Sequence, residues 1–190
     1  MNMKLFYIIN DLADKNIFLD SFMIMLSKYV PIVFMSVLVL IFILGIVKNK
    51  GEYRKVAFNT FIFTIFNLIL SFIIGSIYFE NRPFVQSKVN LLYPHAENAS
   101  FPSDHVTGTM SIALGMKAYN NILSKILTML SILVGISRVY VGHHYPMDVI
   151  GAYVMVVITG YLYNLFLKNK IDMIYDRVEK TLIIKLGFSS

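Results

Sequence analysis

Three long runs of apolar residues contain no charged side chain, and they constrain the fold of this chain more than any other feature. The runs cover residues 29–47, 56–79 and 149–167. About 20 helical residues cross a hydrocarbon core about 30 Å thick, so each run is long enough to span a membrane. The composition agrees, because 57% of the 190 residues are hydrophobic and only 15% are charged. Such a chain is typical of integral membrane proteins.

Two further apolar segments, 99–117 and 122–141, are also long enough to span. Their ionisable residues include Asp104, His105, Lys125 and Arg138. Ionisable groups inside a bilayer are costly unless they face the interior of a helix bundle, so we expect these polar ends to face other helices. The sequence therefore predicts an all-α, polytopic transmembrane bundle of about five spans. We expect residues 1–190 to form a single integral-membrane domain.

Segments near both termini have apolar residues on one helical face, which is typical of interfacial amphipathic helices. In segment 4–15 these positions are Leu5, Ile8, Ile9 and Leu12. In segment 171–186 they are Ile171, Ile174, Tyr175, Val178, Leu182 and Leu186. Near the start of the first span, Pro31 predicts a kink in a longer helix that begins before it.

Lysine and arginine residues are divided unequally between the two sides that five spans define. Eleven of them lie in the connector 48–55, the turn 117–125 and the tail after residue 167, all on one side. Six lie on the other side: Lys4, Lys15, Lys28, Arg82, Lys88 and Arg138. Because basic residues concentrate on the cytoplasmic side, this predicts an outside N-terminus and a cytoplasmic C-terminus. The formal charge of +6 then reflects membrane topology, and nucleic acid is not expected as a partner.

In this topology, three polar stretches that are distant in sequence meet on the outer side. They are ENRPF at 80–84, FPSDH at 101–105 and SRVYVGHHYPMD at 137–148. In the third stretch, His144 precedes Asp148 by four residues, so the carboxylate can accept a hydrogen bond from one ring nitrogen. The other nitrogen then stays unprotonated, as a nucleophilic or basic histidine requires. The neighbouring His143 is the rival candidate, and the spacing favours His144.

The remaining polar residues of these stretches suit an anionic ligand. The guanidinium groups of Arg82 and Arg138 have a planar shape that matches phosphate oxygens. Pro102 and Ser103 suit a helix start, where free backbone N–H groups and the positive end of the helix dipole attract anions. His105 follows directly, where a histidine can protonate a departing oxygen and later activate water.

These stretches resemble the three signature motifs of the type 2 phosphatidic acid phosphatase superfamily. The matching residues are RP at 82–83, PSDH at 102–105, and SR, five residues, His, three residues and Asp at 137–148. Within that superfamily, RPF and SFPSDH are most similar to the bacitracin-resistance type of bacterial undecaprenyl pyrophosphate phosphatase. The resemblance covers about a third of the chain.

The resemblance implies hydrolysis of undecaprenyl diphosphate to undecaprenyl phosphate and inorganic phosphate at the extracytoplasmic face of a bacterial cell membrane. It implies an in-line attack by His144, a phosphohistidine intermediate, orientation by Asp148, and acid–base catalysis by His105. It implies neither a metal nor a cofactor. The phosphate-binding residues that it assigns are Arg82, Arg138, Ser103, Pro83 and Ser137.

One position departs from the superfamily pattern. The first motif usually opens with a lysine seven positions before the arginine, and this chain has Gly75 there. Lys88 or a loop backbone is the expected replacement for that contact. His95 and Glu97 are interpreted as loop residues. Two other functions stay open: a phosphatase of the same fold acting on phosphatidic acid or phosphatidylglycerophosphate, and a non-catalytic membrane protein that only binds anions or lipids.

Overall fold

The computed structural model describes the backbone of residues 2–185 and the side chains of residues 2–181, and the regular structure within this range is helical. A short 3-10 turn, Met116–Ala118, follows the sixth helix. The α-helices are, in chain order, α1 (Asn2–Asn10), α2 (Ile17–Lys28), α3 (Val30–Val47), α4 (Gly51–Ile77), α5 (Pro83–Gln86), α6 (Asp104–Gly115), α7 (Asn121–Tyr140), α8 (Pro146–Phe166) and α9 (Lys168–Lys185).

Helices α3, α4, α7 and α8 are long and apolar enough to cross a membrane. They correspond to four of the predicted spans, and they bear many exposed apolar side chains, such as Ile32, Phe72 and Val157. In a bilayer such side chains contact lipid. The chain is therefore a multi-pass α-helical membrane protein, as the hydropathy pattern predicts.

The third predicted span, 99–117, forms a shorter helix than expected. Helix α6 has 12 residues, which extend about 18 Å at 1.5 Å per residue. Residues 99–103 precede the helix as a loop, because the carbonyl groups of Ala99 and Ser100 accept hydrogen bonds from side chains of other motifs. The chain still passes from one end of the bundle to the other through α6 and the 3-10 turn, so the predicted alternation of sides is retained.

Helix α6 lies at the centre of the bundle and packs against α3, α4, α7 and α8. Its residues Ile112 and Ala113 are buried, together with apolar residues of the surrounding helices. The main core consists of Phe34, Leu38, Ile41, Ala57, Phe63, Met110, Ile112, Ala113, Met116, Leu127, Val156 and Tyr163. Packing on several sides fixes the position of the first turn of α6.

The predicted break near Pro31 is confirmed. Helix α2 ends at Lys28 and α3 begins at Val30, with Tyr29 as the residue between them. Proline has no N–H, so Pro31 cannot donate to the carbonyl of Ser27 four residues earlier. Tyr29 keeps a right-handed helical backbone, and the last turn of α2 therefore leads directly into α3.

Helix α1 has two different faces. Leu5 and Ile8 of α1 and Leu12, just after it, are exposed, which suits the predicted contact with the membrane interface. Ile9, the other residue of the predicted apolar face, instead packs against the core. Phe6 and Asn10 are fully buried on the other side. Phe6 belongs to a second core cluster with residues of α6, α7 and α8, so α1 also packs against the bundle.

Helix α9 is attached to the first half of α4 by polar contacts. Arg54 and Lys55 form salt bridges of 2.6 Å with Glu179 and Asp176, respectively. The side chains of Ile174 and Val178, on the predicted apolar face, are exposed, as expected for an interfacial helix. Of the other predicted positions, Leu186 and the side chain of Leu182 lie outside the described residues.

Candidate active site

The three polar stretches meet at one end of the bundle, which we call the site end. Helices α4 and α7 end there, and α6 and α8 begin there. Two loops complete it: residues 78–103, which contain α5, and residues 141–145. Hydrogen bonds join the three stretches, since Arg82 contacts His144 and the backbone N–H of Ser103 donates to the carbonyl of Asp148 at 3.3 Å. The topology therefore brings distant motifs together, as expected from the sequence.

Arg82 links the first motif to the third. Its Nη1 lies 3.0 Å from the Nε2 atom of His144 and also donates to the carbonyl of His143 at 3.0 Å. The opposite edge of the guanidinium donates to the side chain of Asn98 at 2.9 Å and to the carbonyl of Ala99 at 3.2 Å. Burial lowers the pKa of Arg82 to about 10, so the group remains a cation at neutral pH.

The ring of His144 is fixed by contacts at both nitrogens. Its Nδ1 lies 2.9 Å from the carbonyl oxygen of Ser100 and 3.4 Å from Oδ2 of Asp148. A carbonyl oxygen only accepts hydrogen bonds, so Nδ1 carries the proton and Nε2 accepts from Arg82. The tautomer is the one that the spacing predicts, but the Ser100 carbonyl is the nearer acceptor of the two.

The carboxylate of Asp148 holds the chain around His144. Its Oδ2 accepts a hydrogen bond from the Ser100 hydroxyl at 2.5 Å and from the backbone N–H of Tyr145 at 2.8 Å. Asp148 thus connects Ser100, whose carbonyl contacts Nδ1 of His144, with Tyr145, the residue after His144. Its contribution to orientation is largely indirect.

His144 is neutral under physiological conditions. Burial lowers the pKa of His144 well below its usual range, and the nearby cations Arg82 and Arg138 lower it further. The neutral form keeps a lone pair on Nε2, which a nucleophile requires. Of the two adjacent histidines, His144 is the one next to Arg82 and the carboxylate of Asp148.

His143 has a different environment. Its Nε2 lies 2.9 Å from the carbonyl oxygen of Tyr93, and its ring contacts the rings of Tyr93 and His95 at centroid distances of 4.3 and 4.6 Å. Burial lowers the pKa of His143 to about 2. The ring is a neutral packing element beneath the 78–103 loop.

Arg138 approaches the site from the last turn of α7. Its Nη1 donates to the hydroxyls of Ser27 and Tyr93, each at 3.0 Å. Its Nε and Nη2 atoms are buried and have no hydrogen-bond partner among the described residues. A buried cation with unused donors is suited to an anionic ligand.

The second motif forms the start of α6, with Ser103 as its N-cap residue. The Ser103 hydroxyl is buried without a partner in the described part of the chain. His105, one residue inside the helix, lines a groove of about 280 Å³ between α3, α4 and α6. Asp104 borders the same groove and accepts a hydrogen bond from Ser71 at 2.7 Å.

Two predicted site residues make contacts of another kind. The Ser137 hydroxyl donates to the carbonyl of Val134, one turn earlier in α7, at 2.7 Å. Pro83 is buried at the first position of α5 and so fixes the backbone after Arg82. A larger cavity of about 690 Å³ lies at the opposite end of the bundle and is lined by none of the motif residues.

The structure explains the glycine at position 75. A Cβ atom at Gly75 would lie 3.1 Å from the Cβ of Ala99 and 3.1 Å from the carbonyl oxygen of Phe101. The loop that bonds Arg82 and His144 therefore packs directly on α4 at this point. A larger residue here would require the loop to shift by a few tenths of an ångström, so the close packing favours glycine.

Comparison with known proteins identifies the family of this chain. The family model described as "PAP2 superfamily" matches residues 53–172, which is more than half of the chain and includes all three motifs. The chain belongs to the PAP2 superfamily. The resemblance seen in the motifs is thereby confirmed.

Individual PAP2 relatives extend the match beyond the motifs. The Bacillus subtilis protein named undecaprenyl-diphosphatase BcrC is 36% identical over 189 residues, covering 98% of this chain and 95% of the relative. The Escherichia coli protein named putative undecaprenyl-diphosphatase YbjG is 29% identical over 80% of this chain and 75% of its own length. Aquifex aeolicus LpxE has a similar fold, with a TM-score of 0.72 at 24% identity over 87% of this chain and 95% of that one.

Several residues of this PAP2 site were not predicted from the sequence. Ser27 and Tyr93 bind Arg138, and Asn98 and Ser100 bind Arg82 and Asp148, respectively. These four are outside the motifs, and three of them lie in the 78–103 loop, which has no periodic pattern. Only the placement of 78–103 between two motifs indicated that this loop would border the site.

Proposed function

We propose that this chain is a membrane lipid phosphatase that hydrolyses undecaprenyl diphosphate to undecaprenyl phosphate and inorganic phosphate. The contact between Arg82 Nη1 and His144 Nε2, at 3.0 Å, carries the proposal. In this contact the neutral nucleophile, His144, lies next to the cation proposed to bind phosphate, Arg82. A relative named undecaprenyl-diphosphatase that matches nearly the whole chain supports the choice of substrate.

In the proposed mechanism, His144 attacks the terminal phosphorus of the diphosphate. The Nε2–P bond forms while the bond to the bridging oxygen breaks, and that electron pair leaves with the lipid phosphate. Arg82 transfers its hydrogen bond from Nε2 to a phosphoryl oxygen, and the unused donors of Arg138 bind the others. Ser103 contributes its unpartnered hydroxyl at the start of α6.

His105 is assigned both proton transfers. It protonates the leaving oxygen in the first step and removes a proton from water in the second, when water attacks the phosphohistidine. The products are the lipid monophosphate, inorganic phosphate and the free Nε2 of His144. Asp148 positions His144 through Ser100 and Tyr145 throughout.

The groove beside His105 supports a lipid substrate. Its walls are largely apolar and include Pro31, Met35, Leu68 and Gly108. It lies between spanning helices, so an isoprenoid tail in the bilayer can reach His105 without crossing polar protein. A soluble phosphate ester would gain nothing from such walls.

We assign the site end to the extracytoplasmic face of a bacterial inner membrane. The eleven basic residues of the connectors and tail lie at the opposite end of the bundle, where α3 and α8 end and α4 and α7 begin. The positive-inside rule places that end in the cytoplasm. Recycling of the lipid carrier at the outer face would serve cell-wall synthesis and bacitracin tolerance.

The decisive experiment measures phosphate release by the purified protein from undecaprenyl diphosphate, phosphatidic acid and phosphatidylglycerophosphate in matched detergent micelles. We expect kcat/KM to be at least about tenfold higher for the undecaprenyl lipid. A preference for either glycerolipid would contradict the proposed substrate and favour the other phosphatase function. Binding of all three lipids without phosphate release would favour a non-catalytic binding protein.

The pH dependence provides a further prediction. Because the pKa of His144 is lowered, the nucleophile stays neutral as the pH falls through 6.5, the usual value for histidine. The acidic limb of the kcat/KM profile should therefore have its midpoint below pH 6.5. Titration of ¹⁵N-labelled histidines by NMR, with His144→Gln as the assignment control, separates His144 from ionisation of the substrate. A His144 midpoint at or above 6.5 would contradict the burial argument.

A further inference from the structure

The last turn of α2 contacts the site although no motif includes it. The Ser27 hydroxyl lies 2.7 Å from the Tyr93 hydroxyl, and both accept hydrogen bonds from Arg138. The next residue, Lys28, holds its ammonium 4.2 Å from the centroid of the Tyr93 ring. A cation from α2 is therefore fixed on the tyrosine that positions Arg138.

The motifs alone supply few positive charges for a diphosphate. At position 75 this chain has a glycine, and the motif cations are Arg82 and Arg138. Both are needed for the phosphoryl group that His144 attacks. The second phosphate, which stays on the lipid, gains negative charge when the bridging bond breaks. A nearby cation would stabilise that charge as it develops.

Lys28 lies over the tyrosine that bonds Arg138, and the chain that follows it forms part of the groove. Pro31 and Met35 form one wall of the groove that contains His105. Lys28 is the last residue of α2 and precedes them by three and seven residues, so it lies close in sequence to the groove wall at the α2–α3 junction. Lys28 is exposed, so a head group can approach its ammonium where it lies over the Tyr93 ring. The lipid-linked phosphate must sit between the tail in the groove and the attacked phosphorus.

We propose that Lys28 binds the lipid-linked phosphate of a diphosphate substrate, and that Tyr93 positions both Lys28 and Arg138. This inference rests on the proposed phosphatase function and adds a determinant of selectivity for diphosphates over monophosphates. Lys28 takes the place of the cation that is absent at Gly75. Lys88, the other lysine considered for this role, makes a described contact only through its backbone carbonyl, which accepts from Tyr7.

The test compares farnesyl diphosphate with farnesyl phosphate. Lys28→Gln should lower kcat/KM for the diphosphate about tenfold, the size of one lost charge-assisted hydrogen bond, and lower it less than twofold for the monophosphate. Lys28→Arg should restore most of the diphosphate activity. Tyr93→Phe keeps the ring but removes the hydroxyl from Arg138, so it should lower both activities by a similar factor.

Lys15→Gln and Lys88→Gln are matched controls, because each removes one charge from the same face of the protein. An equal loss on both substrates in Lys28→Gln, no loss on either, or the same selective loss in Lys88→Gln would overturn the assignment. Binding gives a readout independent of turnover. Lys28→Gln should weaken the binding of farnesyl methylenediphosphonate about tenfold and change the binding of farnesyl phosphonate less than twofold. Unchanged binding of the diphosphonate would also overturn it.

Failure of the proposed function has a different signature. If the wild type hydrolyses diacylglycerol diphosphate but no polyprenyl diphosphate, the substrate proposal fails. The same Lys28→Gln comparison then uses diacylglycerol diphosphate and phosphatidic acid, with the same expected selective loss. The two proposals are therefore decided by separate measurements.

Discussion

The His144→Gln protein should lose phosphate release from undecaprenyl diphosphate by about 10⁴-fold or more, because the group that forms the bond to phosphorus is removed. Glutamine keeps a similar size and a polar end, so the contact with Arg82 is retained in part and the fold is preserved. The measurement is kcat/KM with purified protein, together with its melting temperature in detergent. A folded variant with turnover within tenfold of the wild type would contradict the assigned nucleophile.

The neighbouring histidine provides a control for this prediction. His143→Gln also changes a buried imidazole, but that ring bonds the Tyr93 carbonyl and packs against aromatic residues, so we expect only about a tenfold loss. Substrate labelled with ³²P on the terminal phosphate should leave label on the wild-type protein after an alkaline quench, and no label on His144→Gln. Retained label would locate the intermediate elsewhere.

The sequence predicted those parts of the site that depend on local spacing. His144 and Asp148 are separated by one helical turn, and α8 begins between them as Pro146 suggests. Hydropathy predicted four spans within a few residues of their ends. The helix break beside Pro31 follows from the missing N–H of proline. Each of these features is determined by residues that are close in sequence.

The parts that the sequence did not predict depend on contacts between distant segments. Ser27 is 111 residues from Arg138, and Tyr93 is 45 residues from it. Neither residue belongs to a motif. A single hydroxyl in a helix or a loop has many possible partners, so the sequence does not indicate which one it contacts. The nearer contact of His144 with the Ser100 carbonyl was missed for the same reason. Helix α6 begins only after the loop residues whose carbonyls accept from Arg82 and His144, so it is shorter than predicted.

His105→Asn should lower kcat/KM about 10²-fold for farnesyl diphosphate and about 10⁴-fold for farnesyl phosphate. General acid catalysis contributes within this range, and its share depends on the leaving group. A phosphate leaving group has a second pKa of about 6, so it departs readily without a proton. The alkoxide that leaves a monophosphate is a base about as strong as hydroxide, since water has a pKa of about 15.7, and it needs the proton from His105.

The same variant should also slow the second step, because His105 is assigned the role of base for the attacking water. With farnesyl diphosphate, His105→Asn should therefore accumulate labelled phosphohistidine to a higher steady level than the wild type. Asp104→Asn is the control from the adjacent position. We expect it to lower kcat/KM for both substrates by the same small factor. Equal losses on the two substrates in His105→Asn, without accumulated label, would show that His105 supports the start of α6 and transfers no proton.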